Sequence, residues 1–202
     1  MKVLRSSLIA LGLVLGAYAG GAQAYILVNF DFGFAAGPLA GTTAHGKASL
    51  LDSDCPGFIC NGFFTPAGPA NSDPFFAGPT NTLTSLTIDI NGTIFTAADD
   101  GGYPNFPYLK LANNVITDIS FESGLGVFPS LSLEASTVGG SLIGTGGFQA
   151  SIAGVPSFIL GPVNATLVVP EPGTEMLFGA ALLAALGLRR RNGKQPAGGL
   201  IG

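Results

Sequence analysis

LTSLTIDINGTIFTA, residues 83–97, is the stretch whose reading decides the fold. Asn91-Gly92 is the preferred pair for a two-residue hairpin of type I′, because both positions need a positive φ. The flanking runs, Leu83 to Ile90 and Thr93 to Ala97, are rich in β-branched and apolar residues, as strands require. This register puts Leu86, Ile88 and Ile90 on one face, with Phe95 opposite Ile88 and Asp89 on the other face, in water. Asp99-Asp100-Gly101-Gly102 then breaks the strand.

The same period of two recurs on both sides of the hairpin. In Tyr25 to Gly33, Ile26, Val28, Phe30 and Phe32 alternate with Leu27, Asn29 and Asp31, so the segment reads as a half-buried first strand. Gly37-Pro38 turns the chain, and His45 to Leu51 offers a second strand, unless 37–46 joins it with a glycine-marked irregularity. After the hairpin come a strand at Phe106 to Leu111, a turn at Asn113-Asn114 and a strand at Val115 to Glu122. In that last strand Val115, Thr117, Ile119 and Phe121 share one side, and Ile116, Asp118, Ser120 and Glu122 the other. Further strands are expected at Ser130 to Ala135, Phe148 to Ala153 and Val163 to Val168. The glycine-rich run 138–147 reads as a flexible turn region. No sustained helical period occurs before Thr174. About eight short strands at near-regular spacing predict an all-β protein, a single antiparallel β-sandwich or jelly-roll-like domain over residues 25–168.

Between the first two strands and the hairpin lie the only cysteines, Cys55 and Cys60. In an exported chain an oxidised pair is the default, with reduced thiols the alternative. One histidine, His45, cannot complete a Cys/His zinc set, and it reads as an ordinary surface residue. Asp52 and Asp54 before a glycine, and Asp99 and Asp100 in the acidic turn, are weak calcium candidates against solvated turns. No other cofactor is indicated. In the loop 61–80, Phe63, Phe64, Phe75 and Phe76 fold back over a sheet or form an exposed aromatic patch for a polymer or partner. Folding back is preferred, since large exposed apolar patches are uncommon.

The two ends of the chain differ from the middle. Lys2 and Arg5, the apolar run LIALGLVLGAYAG and the small residues Ala22 and Ala24 read as a secretory signal peptide over 1–24, cut by signal peptidase before Tyr25, with an uncleaved N-terminal anchor as the alternative. Near the other end Pro170-Glu171-Pro172 is a stiff connector. It leads into MLFGAALLAALGL, residues 176–188, which is uncharged, and then Arg189-Arg190-Arg191. An apolar helix stopped by a basic block is a membrane stop with its basic end in the cytoplasm. Its 13 residues span about 20 Å at a helical rise, against a hydrocarbon core of about 30 Å, so the hold suits a transient stage. The alternative for this run alone is a short core or amphipathic helix.

These residues resemble the PEP-CTERM sorting signal of Gram-negative bacteria, which joins a Pro-Glu-Pro motif, a short transmembrane segment and an arginine cluster. The resemblance covers 169–191, with a transmembrane helix over 174–188 and a short cytoplasmic tail over 192–202. It implies that an exosortase, a membrane-embedded cysteine transpeptidase, cuts near Pro170, Glu171 and Pro172. Arg189, Arg190 and Arg191 would lock the orientation. The product then passes from the inner membrane to the cell surface or the extracellular matrix. The succession of β segments is also similar, in composition, to the single β-domain common among such exported proteins.

Composition narrows the role. Between Tyr25 and Val169 only Lys47 and Lys110 are basic, against ten carboxylates. Such a surface repels phosphate backbones and argues against nucleic acid. With one histidine, no nucleophile elbow, no Walker loop and no GxGxxG entering a helix, no catalytic constellation assembles. The expectation is a non-enzymatic surface or extracellular-matrix protein, with exosortase, signal peptidase, the inner membrane and exopolysaccharide as partners. A calcium- or glycan-binding surface module is the rival, and a secreted hydrolase using paired carboxylates stands behind both.

Overall fold

In the computed structural model the described residues are 25–124 and 126–169. The signal peptide with Ala22 and Ala24, the motif Pro170, Glu171 and Pro172, the helix 174–188, the arginines 189–191 and the tail 192–202 lie outside them. Ten strands are described: β1 (Tyr25–Ala36), β2 (Thr43–Leu51), β3 (Gly62–Thr65), β4 (Asn81–Ile90), β5 (Thr93–Thr96), β6 (Tyr108–Ala112), β7 (Val115–Glu122), β8 (Ser130–Val138), β9 (Ser141–Gln149) and β10 (Ser157–Val168). Among the described residues the only helical pieces are four three-residue 3-10 turns, and no helix is long and apolar enough to cross a membrane.

The all-β expectation holds, but the sandwich is corrected. Pairing runs β2-β1-β10-β9-β8-β7-β6-β3-β4, and β4 pairs back to β2 from His45↔Asp89 to Leu50↔Leu83, which closes a nine-stranded barrel. β5 takes the edge of β4 beyond the stretch held by β3. One pairing, β3 with β4, is parallel; the others are antiparallel. Alternating strands serve a sandwich and a barrel equally well. Closure depends on which distant strands pair, and it removes the open sheet edges.

The interior is filled rather than hollow. Ile26, Val28, Phe30, Phe32 and Phe34 of β1 all point inward. Phe95 stacks edge-on against Phe121 and Phe148 at centroid distances of 5.9 and 6.2 Å, a favoured aromatic geometry. Outward positions on β1 and β2 include Asn29, Asp31, Lys47 and Ser49. The hairpin that decided the fold forms as read: Asn91 and Gly92 take φ of 52 and 85°, Ile88 faces Phe95, and Leu86, Ile88 and Ile90 are buried while Asp89 is exposed.

Three local readings change. β7 does not keep one face, because Lys110 pairs with Asp118 but Leu111 with Ile116, leaving Thr117 as an extra residue. This β-bulge turns Ile116 inward and leaves Val115 61% exposed, while Ile119 and Phe121 stay inside. The glycine-rich run is not a flexible turn region: Val138 closes β8, Gly139-Gly140 forms a tight turn and the rest is β9, which ends at Gln149 rather than continuing to Ala153. Its glycines fit there because β9 packs closely on its neighbours, and a Cβ at Gly146 would overlap the Ser132 carbonyl. The strand expected from Phe106 starts at Tyr108, since Pro107 has no N–H to give a ladder.

Candidate functional site

Three places gather chemistry. The first is the loop after β2, which Cys55 and Cys60 close with a disulfide, as expected for an exported chain. Asn114, in the β6–β7 turn, clamps it. Its side-chain carbonyl accepts from the Cys60 N–H at 2.6 Å, its amide donates to the Phe58 carbonyl at 2.8 Å, and its own N–H donates to the Cys60 carbonyl. Phe58 takes a φ of 62°, a region where a bulky side chain is a genuine outlier. It is 42% exposed, and the neighbouring Ile59 49%.

The second place is an aromatic cluster on the outer wall. β3 alternates, so Phe64 enters the core while Phe63 faces outward. Phe63 pairs with Lys110 of β6, whose ammonium lies 4.7 Å from the Phe63 ring centre, a cation–π contact. Tyr108, Phe75, Phe76 and Phe106 complete the group, with centroid separations of 5.0 Å for Phe63–Phe76 and Phe75–Phe76 and 5.4 Å for Phe63–Tyr108. Phe76 is buried and Phe75 is 57% exposed. The segment folds back, the preferred of the two sequence alternatives, and of its four phenylalanines only Phe75 stays exposed. Phe106 and Tyr108 escaped the sequence reading because the β3–β6 register, a long-range pairing, brings them in.

Carboxylates border the cluster. Tyr108 Oη donates to Asp118 Oδ1 at 3.2 Å. Burial pushes the Asp118 carboxyl above its ordinary pKa; the Tyr108 hydrogen bond and the Lys110 charge offset part of this, and Glu134 adds to it. Burial, and then the charge of Asp118, also raises the Tyr108 phenol. Beside Phe106 a cleft of about 480 Å³ is lined by Asp100, Ser120, Glu122 and Glu134. Asp100 is pushed up by burial and held partly back by the Glu122 and Gly102 N–H groups that it accepts at 2.8 Å.

The calcium candidates do not converge. Asp54 accepts from the Thr82 N–H at 2.6 Å, and Asp99 forms a capping box with Thr96. Asp52 opens a 3-10 turn. Among the described residues no three His, Cys, Asp or Glu side chains gather into a cation site. His45 is exposed and pairs with Asp31, Nδ1 to Oδ1 at 2.7 Å.

The third place is the strand that leads to the C-terminal segment. β10 ends at Val168, paired to Leu27 near the start of β1, and one residue separates it from Pro170. A family model described as the PEP-CTERM protein-sorting motif matches residues 168–191. This chain carries a PEP-CTERM sorting motif. The match takes in Pro170, Glu171, Pro172 and all three arginines, Arg189 to Arg191. A PEP-CTERM motif marks a protein for exosortase processing, and so for export and membrane-associated sorting to the cell surface. No curated protein and no solved structure matches the chain.

Proposed function

We propose that this PEP-CTERM protein is a non-enzymatic component of the cell surface or extracellular matrix, delivered as a folded barrel with one disulfide-closed loop and deployed beside exopolysaccharide. The sorting motif at 168–191 carries the reading. Pro170 to Pro172 present the recognition element, the apolar run holds the chain transiently in the inner membrane, and Arg189 to Arg191 set its orientation. Signal peptidase acts at the other end, after Ala24. The test compares wild type with a chain in which Pro170, Glu171 and Pro172 are all alanine, by intact mass and cell fractionation in a host that has an exosortase. Wild type is expected to lose its C-terminal segment and reach the surface, while the variant stays full length in the membrane. Retention of the segment by both chains would make this a plain membrane-anchored protein.

A second reading, a glycan-binding module, is favoured by the exposed Phe75 ring at the tip of an aromatic cluster bordered by carboxylates. Rings stack on sugar faces, and carboxylates accept from hydroxyls. The acidic surface selects neutral polymers over anionic ones. Phe75→Ala is expected to abolish retardation on a neutral polysaccharide gel in protein that remains folded, with a modest fall in melting temperature from its lost ring contacts. Equal mobility of both chains would remove this reading.

A further inference from the structure

The chain enters and leaves the barrel at one end. Tyr25 pairs with Leu51, the last residue of β2, and Leu27 with Val168, at the close of β10. The disulfide loop starts directly after Leu51, so it stands at this same end. The β6–β7 turn, which Asn114 fastens to the loop, is there too. Exposed apolar side chains lie at this end: Phe58 and Ile59 on the loop, Val115 at the start of β7, and Leu27 and Val168 on the paired strands. The opposite end carries the turn between β9 and β10, with Ile152 82% exposed.

Chain length limits how far this end can stand from a membrane. Only Val169 and residues 170–173 separate β10 from the segment 174–188. Five residues reach at most about 17 Å when fully extended.

We propose that this end of the barrel is a membrane-docking surface, on which the Phe58–Ile59 tip enters the lipid headgroup boundary while the sorting signal holds the protein at the bilayer. The proposal rests on the reading of 168–191 as a membrane-held sorting signal. The disulfide and the Asn114 clamp present the tip on a fixed loop, so little freedom is lost on insertion. An aromatic side chain beside an aliphatic one suits the boundary between headgroups and acyl chains. With ten carboxylates against two lysines on residues 25–169, the surface fits zwitterionic lipid, since anionic headgroups repel it. The contact is weak by itself, and the tether supplies the effective concentration. Once the exosortase has cut, the tether is gone and the same end lets go of the bilayer.

The chain has no tryptophan, which makes the test direct. Full-length Phe58→Trp and Ile152→Trp proteins are reconstituted into phosphatidylcholine vesicles with brominated acyl chains, after circular dichroism has shown both to be folded. Phe58→Trp is expected to shift its emission to the blue and to be quenched several-fold more than Ile152→Trp. Equal emission from the two variants, in protein that floats with the vesicles, overturns the docking surface and leaves the sorting reading intact. A blue shift that depends on protein concentration and ignores bromine means that a second copy covers the tip, and it also overturns the proposal. Protein that does not float with the vesicles at all defeats the sorting reading, and the docking surface with it.

Discussion

Gly46 of β2 stands opposite Phe30 of β1, and the Phe30 ring lies where a Cβ at Gly46 would project. The ring is almost fully buried, so the missing side chain of one strand makes room for the large side chain of its neighbour. Gly46→Ala is expected to destabilise the barrel by about 1–3 kcal/mol through overpacking. Gly78→Ala, at a position with open space and an ordinary φ, is expected to leave stability nearly unchanged. Thermal unfolding of the two variants, followed by circular dichroism, checks the contrast. The sequence shows Gly46 only as a glycine within a strand. The need for it appears once the β1–β2 register is known.

At the scale of elements, the hairpin around Asn91-Gly92 was fully legible because its turn chemistry and its alternation are both local. The face of β7 was not. Its strict alternation predicts one buried side, and the bulge at Thr117 exchanges the two sides part-way along. That bulge is set by pairing with β6, whose sequence gives no sign of it. The disulfide loop is a further local element: closing so short a loop contributes about 2 kcal/mol in the chain-entropy account. Cys55→Ser with Cys60→Ser is expected to lower the melting temperature by several degrees and to loosen the Asn114 clamp. The checks are calorimetry of both chains and faster amide exchange at positions 60 and 114 in the variant.

Across the whole molecule the surplus of carboxylates meets a closed wall that buries some of them in part. Asp100 and Asp118 both have folded-state pKa values above the ordinary 3.8, chiefly through burial. The folded chain therefore holds these protons more tightly than the unfolded chain does. Their contribution to stability grows as the pH falls through the folded pKa values, and is lost as it rises through them. Mild acidification also relieves repulsion among the ten carboxylates of residues 25–169. The melting temperature is expected to rise as the pH falls from neutrality through the raised pKa values of Asp100 and Asp118, against the usual fall of proteins stabilised by paired carboxylates. Asp118→Asn is expected to flatten that rise. A series of thermal melts across this range decides it, and a steady fall in both chains would contradict it.

The sequence by itself determined the all-β class, the strands of residues 25–51, the Asn91-Gly92 hairpin, the cysteine pair and the sorting signal. Each of these is written in residues close together in the chain, as a period of two, a turn dipeptide, a short spacing or an apolar run ended by arginines. Tertiary structure alone decided that the strands close into a barrel, that Phe106 and Tyr108 join Phe63, Phe75 and Phe76, and that the chain enters and leaves at the end bearing Phe58. Those outcomes depend on which distant strands pair and in what register. An alternating strand offers the same buried face to many partners, so its own sequence leaves that choice to the packing of the whole.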